Sequence, residues 1–200
     1  MQTLTIDTEQ ADHFLQREES HFVDMKSVEV KPAKLTRTLS AFANADGGEL
    51  FIGFSESDTG EFEWRGFDNV EAANGHLQAL EELFPYSQDY NYEFLSCDGE
   101  EGLVLHVTVM KSGEIKEASD GEPYLRRGAQ NLPVNTPEKL ADLKRTKGIV
   151  SHEDATLAAS ADDISNSEKI IEFMLEIIPM GEPKAWLTKQ RLIIEDRPTV

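Results

Sequence analysis

"AFANADGGELFIGF", residues Ala41 to Phe54, is the stretch on which the reading of this chain turns. An apolar run with helical spacing stops at Asn44-Ala45-Asp46-Gly47-Gly48, and a strand-like run, Glu49 to Phe54, follows at once. Gly47 and Gly48 can take the positive φ that a sharp turn from helix to strand needs. Asn44 and Asp46 can hydrogen-bond backbone groups that a helix end leaves free. Upstream, Phe22 to Val28 predicts a second strand. A helix of about a dozen residues can bring the chain back beside its start, so the two strands should be neighbours. The expected fold class is α+β, a mixed β-sheet with packed helices.

Thr8 to Gln16 predicts a short helix with Thr8 as its cap. On the first strand Phe22, Asp24 and Lys26 share one face, because strand side chains alternate. Asp24 beside Lys26 reads either as an edge-strand ion pair or as part of a site. Pro32 suits the first turn of the following helix. Leu35, Leu39, Phe42 and Ala43 form its buried stripe, and Lys34, Arg37 and Thr38 turn away from it. Further strands are expected at 62–64, 90–96, 103–109 and 124–127, and helices at 70–84 and 136–146. His106 alternates with apolar neighbours and is expected to face outward.

Residues 1–148 are thus read as one domain and 149–164, polar and alanine-rich, as a linker. Residues 165–200 read as the helical start of a further, truncated domain. Ser165-Asn166-Ser167-Glu168 resembles a capping box. Ile170, Met174, Ile177 and Ile178 line one side of the helix behind it, which Pro179 ends. A short helix near 184–193 follows, with no finishing element after it.

The net charge of −19 weighs against nucleic acid as a bulk statement. Its distribution is uneven: residues 41–102 carry a net −14, residues 26–40 a net +3 and residues 111–148 a net +2. The two basic stretches allow a local electropositive face. The single cysteine, Cys97, excludes an internal disulfide and a cysteine-based zinc site. The histidines share no ligand spacing, and no Gly-x-x-x-x-Gly-Lys-Ser/Thr loop occurs. No run of eighteen apolar residues predicts a membrane span, and no secretory signal pattern is seen, so the expected location is the cytoplasm.

The ordered set Glu19, Asp24-Met25-Lys26, Ala41 to Phe54, Tyr124 to Gly128 and Thr136 to Leu143 resembles the Schlafen-type AlbA-like domain of prokaryotic Schlafen-like proteins. The resemblance covers about residues 10–147. It implies a nucleic-acid-binding domain, with metal-dependent endoribonuclease activity in a toxin or anti-phage defence protein as one function. The alternative is a non-catalytic DNA-binding or transcription-regulator module, or a protein-interaction platform. The family's three-carboxylate site carries over as Glu19 and Asp24. Its third acid falls on Ser55, so Glu56 is the substitute catalytic and metal-binding candidate, with Mg2+ or Mn2+ as the implied ion. Lys26, Lys31, Lys34, Arg37, Arg126 and Arg127 are the candidate nucleic-acid contacts. The implied partners are tRNA-like RNA or DNA and a C-terminal domain missing from this chain, with a homo-oligomer as a further option.

Overall fold

A computed structural model describes residues 3–85, 89–150, 156–177 and 181–199. The chain divides into two compact units, residues 1–143 and 144–200.

The first unit is built on a five-stranded mixed sheet. Its strands are β1 (Thr3–Ile6), β2 (Val23–Lys26), β3 (Gly48–Ile52), β6 (Tyr90–Cys97) and β7 (Val104–Val109). The order across the sheet is β1-β6-β7-β3-β2. The outer pairs, β1 with β6 and β2 with β3, are parallel, and the inner pairs are antiparallel. Asp24 pairs in register with Leu50 and Lys26 with Ile52, so the two strands expected to be neighbours are. The connection between them is α2 (Pro32–Asn44), which carries Pro32 in its first turn as the sequence predicts.

Strand β3, between β7 and the edge strand β2, is buried on both faces, and its residues alternate between two cores. Leu50 and Ile52 join Leu35, Leu39 and Phe42 of α2 and Leu77 and Leu80 of α3 (Asn74–Leu83). Phe51 joins Met25 and Leu95 on the opposite face, under Ala11 and Phe14 of α1 (Thr8–Leu15). The cap of α1 is Asp7 rather than Thr8. Its carboxylate accepts the Gln10 amide, and the Gln10 side chain accepts the Asp7 N–H, forming a capping box. His106 does not face open water. Its ring lies flat on Phe51, 4.4 Å between centroids, with Phe14 beside it and Nδ1 3.1 Å from Glu93.

The junction at 44–48 is anchored by tertiary contacts. Asn44 bonds no neighbouring backbone: its amide donates to the carbonyls of Lys116 and Tyr124, and its Oδ1 accepts the Lys116 N–H. Asp46 reaches Lys111 and His21. Gly47 has φ +83°, and a Cβ there would lie 2.6 Å from the Val109 carbonyl oxygen. The strand expected to run unbroken from Glu49 to Phe54 leaves the sheet at Gly53, where φ is +126°. Beyond it β4 (Phe54–Glu56) pairs only with β5 (Phe62–Trp64) as a separate hairpin. A second hairpin, β8 (Tyr124–Arg127) with β9 (Gln130–Pro133), lies against α2. Helix α4 (Pro137–Thr146) follows it.

In the second unit α5 (Ala161–Ser165), capped by Ser160, forms inside the expected linker, and Ser165 ends it rather than capping the next helix. Helix α6 (Glu168–Ile177) buries Met174, and Ile170 packs on Ala161, Leu187 and Ile193. The side chains of Ile177 and Ile178, and Pro179, lie outside the described residues. Helix α7 (Pro183–Lys189) leads into a closing hairpin, β10 (Ile193–Ile194) with β11 (Arg197–Pro198), which the sequence reading omits. Its turn residues Glu195 and Asp196 both have positive φ. No helix among the described residues is long and apolar enough to cross a membrane.

Candidate functional site

Strand β2 lies at the edge of the sheet, and its Asp24 points into protein rather than water. Asp24 is 2% exposed and Arg126, from β8, is 1% exposed. Their side chains meet at 2.9 Å, Arg126 Nη2 to Asp24 Oδ1. The other Asp24 oxygen accepts from Thr38 Oγ1 at 3.2 Å and lies 2.9 Å from the Lys26 ammonium. Each guanidinium nitrogen of Arg126 has a partner. Nε and Nη2 bond the Ser20 carbonyl, Nη2 also the Val23 carbonyl, and Nη1 the Asn131 Oδ1. Asn131 closes a ring by donating to Thr38 Oγ1, and the guanidinium stacks 5.0 Å from the Phe42 ring. A cation this deeply buried persists because it is paired and its N–H groups are satisfied.

Glu19 completes the cluster from the loop before β2. Its Oε1 accepts the Met25 N–H at 3.1 Å and the Lys26 ammonium at 2.9 Å. Burial, the largest single influence on Glu19, favours its neutral form. The hydrogen bonds from Lys26 and Met25 and the Lys26 charge outweigh it and lower the pKa. Burial likewise acts against the charge on Lys26, but Asp24 and Glu19 together raise its pKa above the usual lysine value. The cluster of Glu19, Asp24, Lys26 and Arg126 is therefore charge-balanced by its own residues.

The three acids proposed as metal ligands are not brought together as a set. Glu19 and Glu56 line one open cleft with Lys26, Ser55 and Phe62, while the buried Asp24 does not line it. The kink at Gly53 carries Glu56 out of the main sheet to an exposed position on β4. No group of three or more His, Cys, Asp or Glu side chains suited to a metal ion occurs among the described residues. The donor set also argues against an ion between Glu19 and Asp24, because the Lys26 ammonium stands there, 2.9 Å from each carboxylate. The residues as arranged do not fit a divalent metal.

The six basic candidates divide into two groups. Arg126 is corrected outright: it is interior and cannot meet a ligand at the surface. Lys26 is spent on Glu19 and Asp24. Arg37 pairs with Asp120 at 2.9 Å, which also accepts the Tyr124 hydroxyl. Lys31, the N-cap residue of α2, Lys34, on its first turn, and Arg127, at the end of β8, are exposed and have no ion-pair partner among the described residues. Thr38 and Asn131 are the cluster members that the sequence reading misses. Thr38 carries a faint signal in its position off the apolar stripe of α2, whereas Asn131 lies on a strand that was not expected.

The mixed sheet, the helix that joins its parallel edge pair and the buried charged cluster beneath that edge define an α+β domain of AlbA-like architecture. The Schlafen, AlbA_2 family model matches residues 19–135, more than half of the chain, and the chain belongs to that family. No curated protein matches it. Among solved structures, the DIP2311 protein of Corynebacterium diphtheriae is similar over 96% of this chain, at 15% identity and a TM-score of 0.51. The chain spans 42% of that protein's length, and the likeness is one of fold. The N-terminal domain of a RecG-related protein from Nitrosomonas europaea matches over 62% of this chain and 86% of its own, at 19% identity and a TM-score of 0.38.

Proposed function

We propose that the first unit is a nucleic-acid-binding module that grips phosphate through Lys31, Lys34 and Arg127 and does not cleave its ligand by a metal-dependent route. The observation that carries this reading is the division of the cations. In a chain of net charge −19, Lys26, Arg37 and Arg126 neutralise acids of the protein, while Lys31, Lys34 and Arg127 are exposed with no acid partner among the described residues. Unpaired exposed cations in so acidic a protein lower the local potential for an anion where most of the surface repels it. No side chain caps the start of α2, so the positive end of its dipole lies beside Lys31 and Lys34. Membership of the Schlafen, AlbA_2 family supports a nucleic acid as the anion.

Binding of labelled hairpin RNA and duplex DNA by fluorescence anisotropy tests this. Affinity falls steeply with salt, because phosphate contacts release counterions. Lys34→Glu with Arg127→Glu weakens binding irrespective of sequence and flattens the salt slope by about 2 for duplex DNA. Affinity that ignores both salt and these reversals refutes the proposal. Arg37→Glu, which removes a cation already paired, has the smaller effect.

A further inference from the structure

The three N–H bonds of the Lys26 ammonium meet three oxygens. They are Glu19 Oε1 at 2.9 Å, Asp24 Oδ2 at 2.9 Å and the backbone carbonyl of Met25 at 2.8 Å. Three oxygens converging on one point, two of them carboxylate, are the start of a hard-cation site of the kind magnesium and manganese take. The cradle is held from outside. Arg126 and Thr38 fix the Asp24 carboxylate, and the Met25 N–H fixes Glu19. Collapse after loss of the ammonium is opposed by these bonds.

We infer that Lys26 is a built-in cation: it keeps divalent metal out of this oxygen cradle, and the cradle becomes a divalent-cation site once Lys26 loses its charge. With Lys26 in place, the charges of Glu19 and Asp24 are matched by Lys26 and Arg126. A divalent ion would then meet no net negative charge and would have to displace an ammonium that already satisfies the oxygens. With an uncharged residue at position 26, Glu19, Asp24 and Arg126 leave one net negative charge, and Glu19, Asp24 and the Met25 carbonyl offer ligands, with water filling the remaining positions. The inference concerns metal occupancy and is independent of whether the unit binds nucleic acid.

The test uses the full chain and MnCl2 alone. In the wild-type protein, manganese leaves the backbone amide signals of Met25 and Lys26 unbroadened at concentrations that broaden exposed acidic loops. In Lys26→Met those two signals broaden, and free-manganese EPR shows one added site, about a hundredfold tighter than anything at this position in wild type. Lys26→Arg, which keeps the cation, behaves as wild type. Adding Glu19→Gln to Lys26→Met removes the new site. Selective broadening at Met25 and Lys26 in the wild-type protein overturns the inference whether or not Lys26→Met folds. A folded Lys26→Met that gains no site overturns it as well. Neither result bears on binding of RNA or DNA in chelator, so the nucleic-acid binding proposed above stands or falls separately.

Discussion

Asp24→Ala removes the one carboxylate, among the described residues, that pairs with a fully buried guanidinium. The cost is set by what remains. Arg126 keeps its bonds to Ser20, Val23 and Asn131 but loses its countercharge, and the buried site gives it no water in exchange. Breaking a buried ion pair from one side costs about 3–5 kcal/mol. The surviving carbonyl partners place this case near the lower end, about 3 kcal/mol, since each hydrogen bond to a charged group keeps part of its value. Lys26 adds little, because its side chain is 30% exposed and can turn to water. For a unit of this size about 3 kcal/mol corresponds to a fall in Tm of roughly 6–12 °C. Urea denaturation followed by Trp64 fluorescence, in a Trp186→Phe background, measures it, because Trp64 is buried in the first unit. Asp24→Ala with Arg126→Met should be milder than Asp24→Ala alone, because an apolar side chain leaves no stranded charge. A loss below about 1 kcal/mol for Asp24→Ala, the range of an exposed pair, would show that the cluster is not the buried network described.

Gly47→Ala should cost about 1–3 kcal/mol by urea denaturation, from the positive φ and the approach to the Val109 carbonyl, with Gly113→Ala, where a Cβ meets nothing within 4 Å, as the mild control. Glu19 has a lowered pKa, so its contribution is present above about pH 4.5 and is lost as pH falls through the lower folded value. Lys26 has a raised pKa, so its contribution is full below 10.5 and fades only as pH rises through the folded value above that. The stability difference between wild type and Glu19→Gln should therefore be flat across neutral pH and shrink in acid. A difference that persists unchanged to pH 2 would contradict the assignment. Asn44→Ala strands the Lys116 N–H and should cost roughly 1–3 kcal/mol, read by the same denaturation.

The parallel pairing of β2 with β3 is legible in the sequence because the helix between them and the glycine turn are both local signals. The kink at Gly53 is less so, since "ELFIGF" reads as one apolar run and only the positive φ of its glycine reveals the exit from the sheet. β1 is short, and its Thr-Leu-Thr-Ile alternation is too brief to be separated from a loop. The closing hairpin turns on Glu195-Asp196, not on the Asn-Gly or Asp-Gly pair that marks such turns in sequence. In the site, Asp24 and Lys26 were legible as a pair on an edge strand. The partner that decides the fate of Asp24, Arg126, lies 102 positions away and is joined to it only by the fold. Arg126 and Arg127 are adjacent on a strand, so their side chains point to opposite sides, and both cannot serve one exposed face.

The central proposal is that this domain holds nucleic acid through cations that have no acid partner among the described residues, while Glu19 and Asp24 are engaged internally by Lys26 and Arg126. The most direct measurement is the fate of an end-labelled tRNA-like hairpin incubated with the full chain in EDTA and, in parallel, in manganese, with binding and length read from the same samples. The account predicts an intact hairpin in both, bound with the same affinity at equal ionic strength. Manganese-dependent shortening of the hairpin that Asp24→Asn abolishes would contradict it.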